Sequence, residues 1–278
     1  MTADLSDIPE NILALVRKYP SWGAAAKAND APALRALMER HRQSEQWDPS
    51  APSQALVKAA ATLTPACADV LIEFGATLDE RLNTQDAAQV ALGGKNSSLL
   101  FHFLDRGLVP VDHAENDGTT LLMAALMSEQ FDVAEALHAR GADVSKARLD
   151  FAGNGDTALH LAAAQASFQG VIWLIEKGAD PSIENSARRQ PCEVIPTLDP
   201  ESAPEWDLDA MFDALENYRE ARAAGAPFEI PLRLREMAYM ESTPLSSAEA
   251  QMKAIQAQRA QVEEHSVQGV IPKKKMGF

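Results

Sequence analysis

The sequence predicts an all-α solenoid of five to six stacked helical hairpins, and three observations lead there. The first is a near-copy. Gly118-Thr-Thr-Leu-Leu-Met-Ala-Ala-Leu is followed by Val133-Ala-Glu-Ala-Leu-His-Ala-Arg-Gly-Ala-Asp143, and Gly155-Asp-Thr-Ala-Leu-His-Leu-Ala-Ala by Val171-Ile-Trp-Leu-Ile-Glu-Lys-Gly-Ala-Asp180. The second is spacing. Met123 and His160 each lie 18 residues before a glycine, Gly141 and Gly178, and the terminal positions His41, Gly75, Gly107, Gly141 and Gly178 stand 34, 32, 34 and 37 residues apart. A period in this range marks a stacked repeat. The third is composition. Hydrophobic residues make up 46% of the 278 residues but aromatics only 6%, which suits a thin helix-on-helix core better than a compact α/β one.

The elements follow in order. Residues 7–19 read as an N-terminal capping helix: Asp7 can cap, Pro9 is tolerated in the first turn, and Ile12, Leu15, Val16 and Tyr19 form one stripe. Each first helix of a hairpin is marked by small residues, as at Ala59-Ala60, Ala124-Ala125 and Ala162-Ala163, which let neighbours approach closely. Each second helix carries inward apolar pairs, Leu71-Ile72, Phe103-Leu104 and Leu174-Ile175. The glycines that follow stand where a left-handed backbone is often needed. Weaker starts fall at Trp22-Gly-Ala-Ala-Ala, Gln54-Ala-Leu-Val-Lys-Ala-Ala and Asp86-Ala-Ala-Gln-Val-Ala-Leu, and a degenerate sixth at Gln190-Pro-Cys-Glu-Val-Ile, with its second helix over 208–224.

These residues resemble the ankyrin repeat, whose pattern is a Gly-x-Thr-Pro-Leu-His-x-Ala-Ala helix start and a second helix ending in Leu-Leu-x-x-Gly-Ala-Asp. The resemblance covers about residues 20–228 and is strongest in the fourth and fifth units. It implies an ankyrin repeat domain over 20–228, capped by residues 1–19, with 229–278 as a C-terminal extension holding one helix and a flexible end. It also implies that His160 bridges backbone groups between repeats rather than acting in catalysis, and that partners bind the concave face and the hairpin tips.

The tips supply the candidate contacts. They are Asp79 and Arg81; Asp112, His113, Glu115 and Asn116; Lys146, Arg148, Phe151 and Asn154 on a hairpin about four residues longer than the pattern; and Glu184, Arg188 and Arg189. Phe151 and Ile183 are expected to be exposed and to form apolar anchors within a polar ring.

The remaining segments argue mainly by exclusion. Residues 196–228 carry eight acids against two bases. Asp207, Asp209 and Asp213 could suggest a hard-cation site, but no glycine-turned loop lies between them, and acids suit a helix start. Trp206 and Phe212 are expected to pack on the last repeat, the alternative being a dock for a basic partner. Residues 229–245 show no clear periodicity. Leu245 to His265 reads as one helix, capped by Ser246 and Glu249, with a stripe of Met252, Ile255 and Val262 broken by Arg259; Lys273-Lys274-Lys275 reads as solvated tail.

The formal charge is -15, and residues 1–228 carry -16. That argues against nucleic acid and anionic membranes and permits a basic protein partner. No run of about 18 apolar residues occurs. Two cysteines cannot make a disulfide framework or a four-ligand metal site, and no phosphate loop or nucleophile elbow is present. The expectation is a cytoplasmic, non-catalytic adaptor or scaffold with no cofactor and no metal, whose tail could dock in an assembly. The alternative is an inhibitor or immunity-type protein that blocks a basic enzyme or toxin.

Overall fold

The computed structural model describes residues 10–81, 85–149, 154–196 and 208–241. All regular elements among them are helical, apart from two isolated bridges. The chain divides into two compact units, residues 1–158 and 159–278.

In the first unit, α1 (Glu10–Lys18) precedes four helical hairpins: α2 (Trp22–Lys27) with α3 (Ala31–Arg42), α4 (Ala51–Ala59) with α5 (Pro65–Glu73), α6 (Ala87–Gly93) with α7 (Ser97–Asp105), and α8 (Leu121–Met127) with α9 (Phe131–Ala139). Most of these helices have six to nine residues, too short to persist alone. They stack instead, first helix on first helix and second on second, through α2, α4, α6, α8 and through α3, α5, α7. The core is aliphatic and thin: Leu34, Met38, Leu56, Leu71, Leu99, Phe103, Leu122 and Met123 are fully buried. Helix α1 packs on α3 and leaves Leu15, Val16 and Tyr19 half-buried, as a cap does. Asp7 and Pro9 of the expected cap lie outside the described residues.

Two features of the hairpins go beyond the repeat pattern. Three of the four tight turns of the first unit hold a non-glycine residue in the left-handed region, Asn29 (φ 56°), Lys95 (φ 57°) and Glu129 (φ 56°), as does Ala166 (φ 53°) in the second unit. At or beside each of those three first-unit turns an amide bonds a neighbouring repeat, Asn29 the one that follows and Asn96 and Gln130 the one that precedes. Asn29 Nδ2 donates to Thr62 O at 2.9 Å while its Oδ1 accepts from Thr64 N at 2.7 Å. Asn96 Nδ2 donates to Ala60 O (2.8 Å) and Leu63 O (2.9 Å), and Gln130 Nε2 to Leu92 O (3.1 Å). The ends of neighbouring helices thus satisfy one another. On the second helices a row of polar pairs runs across the repeats: ion pairs join Arg35 to Glu73, Asp69 to Arg106 and Asp105 to Arg140, and Asp69 also hydrogen-bonds His102. Such exposed pairs contribute little singly.

The second unit holds α10 (Ala158–Ala164), whose first residue closes the preceding unit, then α11 (Phe168–Glu176), a short 3-10 turn (Pro191–Val194), α12 (Leu208–Ala224) and α13 (Leu232–Glu241). The sixth repeat keeps only its second helix. Its expected first helix stops after one 3-10 turn because Ile195 leaves the helical region (φ -58°, ψ 130°) ahead of Pro196, whose ring disfavours a helical predecessor. Helix α12 buries Met211, Ala214, Leu215 and Tyr218. Phe212 does not pack inward as expected: it is 43% exposed, because it falls on the face with Asp209 and Asp213. Trp206 and Asp207 lie outside the described residues, as do Ser246, Glu249 and the expected helix over 245–265.

Helix α13 forms where no clear periodicity is legible. It buries Leu234, Met237 and Ala238, and its Glu236 is buried beside Arg233 (3.5 Å). It runs antiparallel to α11: Glu241 at its C-terminal end accepts from Gln169 N at 2.8 Å, and Arg235 nearer its start faces Glu176 at 3.8 Å.

Candidate interaction surface

The tip residues singled out from sequence are mostly spent on holding the tips in place. Asp86 shows how. It starts α6 and accepts from Ala88 N (3.0 Å) and Gln89 N (3.1 Å), while Gln89 Oε1 accepts from Asp86 N (2.9 Å). This is a capping box. Its other carboxylate oxygen meets His113 Nε2 from the next tip at 2.5 Å. Burial pushes the Asp86 carboxyl upward, but the bonds from His113 and the backbone outweigh it and hold it below its ordinary value.

The next tip is a turn closed by Glu115 N to Thr119 O (2.9 Å) and Gly118 N to Glu115 O (3.0 Å). Asp117 is its hub. It accepts from Thr119 N and Oγ1, each at 2.9 Å, and pairs with Arg148 of the following tip; these bonds override its burial and keep its carboxyl low. Its carbonyl accepts from Leu149 N at 3.0 Å. The two tips lie so close that a Cβ on Gly118 (φ 86°) would sit 2.5 Å from Leu149 N, so only glycine fits. Asp112 ties the same pair: its Oδ1 accepts from Asp143 N (3.0 Å) and its O from Lys146 Nζ (3.3 Å). Arg81 donates to Asn116 Oδ1 at 2.5 Å. Glu115 differs. Burial, Asp117 and Asp86 push its carboxyl up, against the pull of Arg81 and Arg148.

In the second unit, His160 lies three residues after Thr157, as Met123 lies three after Thr120 and Gln89 three after Asp86. All three are buried. His160 Nε2 lies 2.9 Å from Arg189 O. A carbonyl only accepts, so Nε2 carries the proton and the ring ties a loop to a helix. Asn185 Oδ1 accepts from Ala187 N (3.0 Å) and Arg189 N (3.1 Å), closing a loop in which Arg188 is left-handed (φ 56°) and exposed.

The exposed candidates are therefore Asp79, Asn116, Asn154, Glu184, Arg188 and Arg189. Ile183, expected to be exposed, is half-buried in a loop shaped by Asp180 and Asn185, while its neighbours Ser182 and Glu184 are exposed. Phe151 lies outside the described residues. Sequence reasoning missed Leu149, which at 56% is the most exposed of the large apolar side chains described. Its neighbour Arg148 drew attention instead, yet Arg148 is turned into the Asp117 pair. The only advance signal was the Asp117-Gly118 turn, which permits the close approach.

Among the described residues, no group of three His, Cys, Asp or Glu comes together as a metal site, and no helix is long and apolar enough to cross a membrane. Cys67 and Cys192 are free and buried. The Cys192 thiol donates to Glu216 at 3.0 Å, and burial followed by that carboxylate pushes it up to about 12, so it stays protonated.

Residues 87–185 match the family model of ankyrin repeats in three copies. No curated protein matches the sequence. Among solved structures, the ankyrin repeat domain of human ASB11 is similar at a TM-score of 0.51 and 20% identity, over 70% of this chain and 81% of that one. At that identity the likeness speaks for the fold. With two further helical hairpins ahead of the matched stretch, the chain carries the ankyrin-repeat architecture.

Proposed function

We propose that the protein is a non-catalytic recognition module, an adaptor or scaffold that grips another protein with its hairpin tips and the adjoining faces of the first helices. The observation that carries this reading is Leu149: a large apolar side chain held out in water by a backbone bond to Asp117 and flanked by charged tips. A rigid apolar contact ringed by polar groups is the usual anatomy of a binding hot spot. Preformed tips also avoid the entropy of ordering loops on binding. The net charge of -15 favours a basic partner and a salt-sensitive association rate. Two free, buried cysteines suit a reducing compartment such as the cytoplasm.

The test is affinity capture with mass spectrometry at low and high salt, followed by binding measurements on Leu149→Asp and Arg188→Glu. Leu149→Asp is expected to weaken the captured complex at least tenfold with unchanged helicity. Full binding by both variants would move the interface elsewhere. The acidic charge of residues 1–228 also favours the inhibitor reading. That reading requires a captured enzyme to lose activity at one-to-one stoichiometry, and retained activity leaves the scaffold.

A further inference from the structure

Among the described residues, the second unit ends on a helix with a partly apolar, exposed side. Helix α13 leaves Leu232 (50%) and Tyr239 (47%) exposed, and Arg235 stands between them at i+3. The three share one side of the helix. At its N-terminal end lies an open cavity of about 800 Å³, bordered by Arg222, Phe228, Glu229 and Arg235 of this unit and by Glu176 of α11. Glu229 is exposed, and no hydrogen bond or ion pair holds its carboxylate among the described residues.

The chain runs on for 37 residues past Glu241. Within them Leu245, Ala248, Met252, Ile255, Arg259 and Val262 recur at intervals of 3, 4, 3, 4 and 3, the spacing of a helical seam that lies along another helix. Only Ser242-Thr243-Pro244 separate this seam from α13, a link of the length that joins antiparallel helices. Turned back on α13, the seam matches it in character. Ala248 falls opposite Tyr239, Met252 opposite Arg235 and Ile255 opposite Leu232. Helix α13 has 10 residues and is roughly 15 Å long, whereas residues 245–259 as a helix span roughly 21 Å. On that geometry Arg259, the charge that breaks the apolar stripe, would overshoot the end of α13 and reach the cavity bordered by Glu229 and Glu176. The apolar part of the seam would then meet the apolar part of α13, and its single cation the acids.

We propose that residues 245–262 dock on the exposed face of α13 within the same chain, with Met252 and Ile255 covering Leu232 and Tyr239 and with Arg259 pairing with Glu229. The segment that reads from sequence as an assembly tail is then the closing layer of its own repeat stack. Terminal layers of such stacks need this kind of cover.

Two experiments on the full chain test it. In the first, Leu232→Cys is combined with Met252→Cys, with Ile255→Cys, or with Ala257→Cys, which lies off the seam. Oxidation should yield a disulfide within one chain for position 252 or 255 and much less for 257. Cross-links only between chains would assign the face to a second copy, and equal cross-linking at 257 would show that the segment has no fixed seat; either overturns the proposal. In the second, amide hydrogen exchange of α13 is followed in Glu229→Arg, Arg259→Glu and the double variant. Each single change should speed α13 exchange severalfold, and the swap should restore it. No recovery in the double variant would remove the Arg259–Glu229 pairing. Neither readout depends on a binding partner, so failure here leaves the recognition reading standing.

Discussion

Asp86 and His113, 27 residues apart in sequence, meet at 2.5 Å across two hairpin tips, and the carboxylate that joins them also caps helix α6. One buried group, 1% exposed, thus fixes both a helix start and the spacing of adjacent tips.

This relationship predicts an acid-sensitive junction. The Asp86 carboxyl is held below its ordinary value of 3.8 in the folded chain. Its stabilisation is therefore complete above that value and is lost as pH falls through the lower, folded one. Asp86→Ala should cost about 2–4 kcal/mol at neutral pH, from the lost cap and the unpaired donors. Denaturant titrations at several pH values should show the gap from the parent chain closing in acid.

Glu115 predicts the opposite sign. Its carboxyl is raised by burial and by Asp117 and Asp86, so its charged form opposes folding, and stability tied to it falls as pH rises through the folded value. Glu115→Gln should raise the denaturation midpoint slightly at neutral pH. The gain should vanish once pH drops below the ordinary value of 4.5. A lower midpoint at neutral pH would mean that Arg81 and Arg148 dominate.

Asn96 bonds two carbonyls of the preceding hairpin and accepts from Leu99 N at 3.3 Å. Asn96→Ala should destabilise by about 2–3 kcal/mol, since two half-buried carbonyls lose their donor and a helix loses its cap. Asn96→Asp keeps the cap but cannot donate. Its midpoint in urea should fall between those of the parent and Asn96→Ala.

Ala166 sits at φ 53° in the turn between α10 and α11. A left-handed alanine costs roughly 1–2 kcal/mol, more than the extra chain entropy of glycine at about 0.5–1 kcal/mol. Ala166→Gly should therefore raise stability by up to about 1 kcal/mol, measurable by thermal melting.

The repeat core was legible because its signals are chemical and periodic: Thr120 and Thr157 before apolar helices, paired alanines, and glycines at Gly141 and Gly178 that do take positive φ (92° and 80°). Helix α13 was not. Its buried face includes Glu236, and the arginine that neutralises it lies three residues away, so a polarity pattern along 232–241 looks featureless. The amides that join hairpins were hidden for another reason. Asn29, Asn96 and Gln130 look like ordinary loop polars, and only the fold brings Thr62, Ala60, Leu63 and Leu92 to them. The tips showed the reverse problem. Charged residues such as Asp112, His113 and Arg148 look available in sequence but are consumed by their neighbours, while Leu149 drew no notice beside them.

The reach of those turn amides into neighbouring hairpins constrains how such a chain can change in length. Adding or losing one residue between Leu63 and Asn96 would pull a donor off its acceptor and expose two polar groups at a junction. Duplicating or excising a whole hairpin would present each amide with an equivalent carbonyl. Growth and shrinkage in complete modules is thus the inexpensive route for this architecture, and single-residue slippage inside a hairpin the costly one.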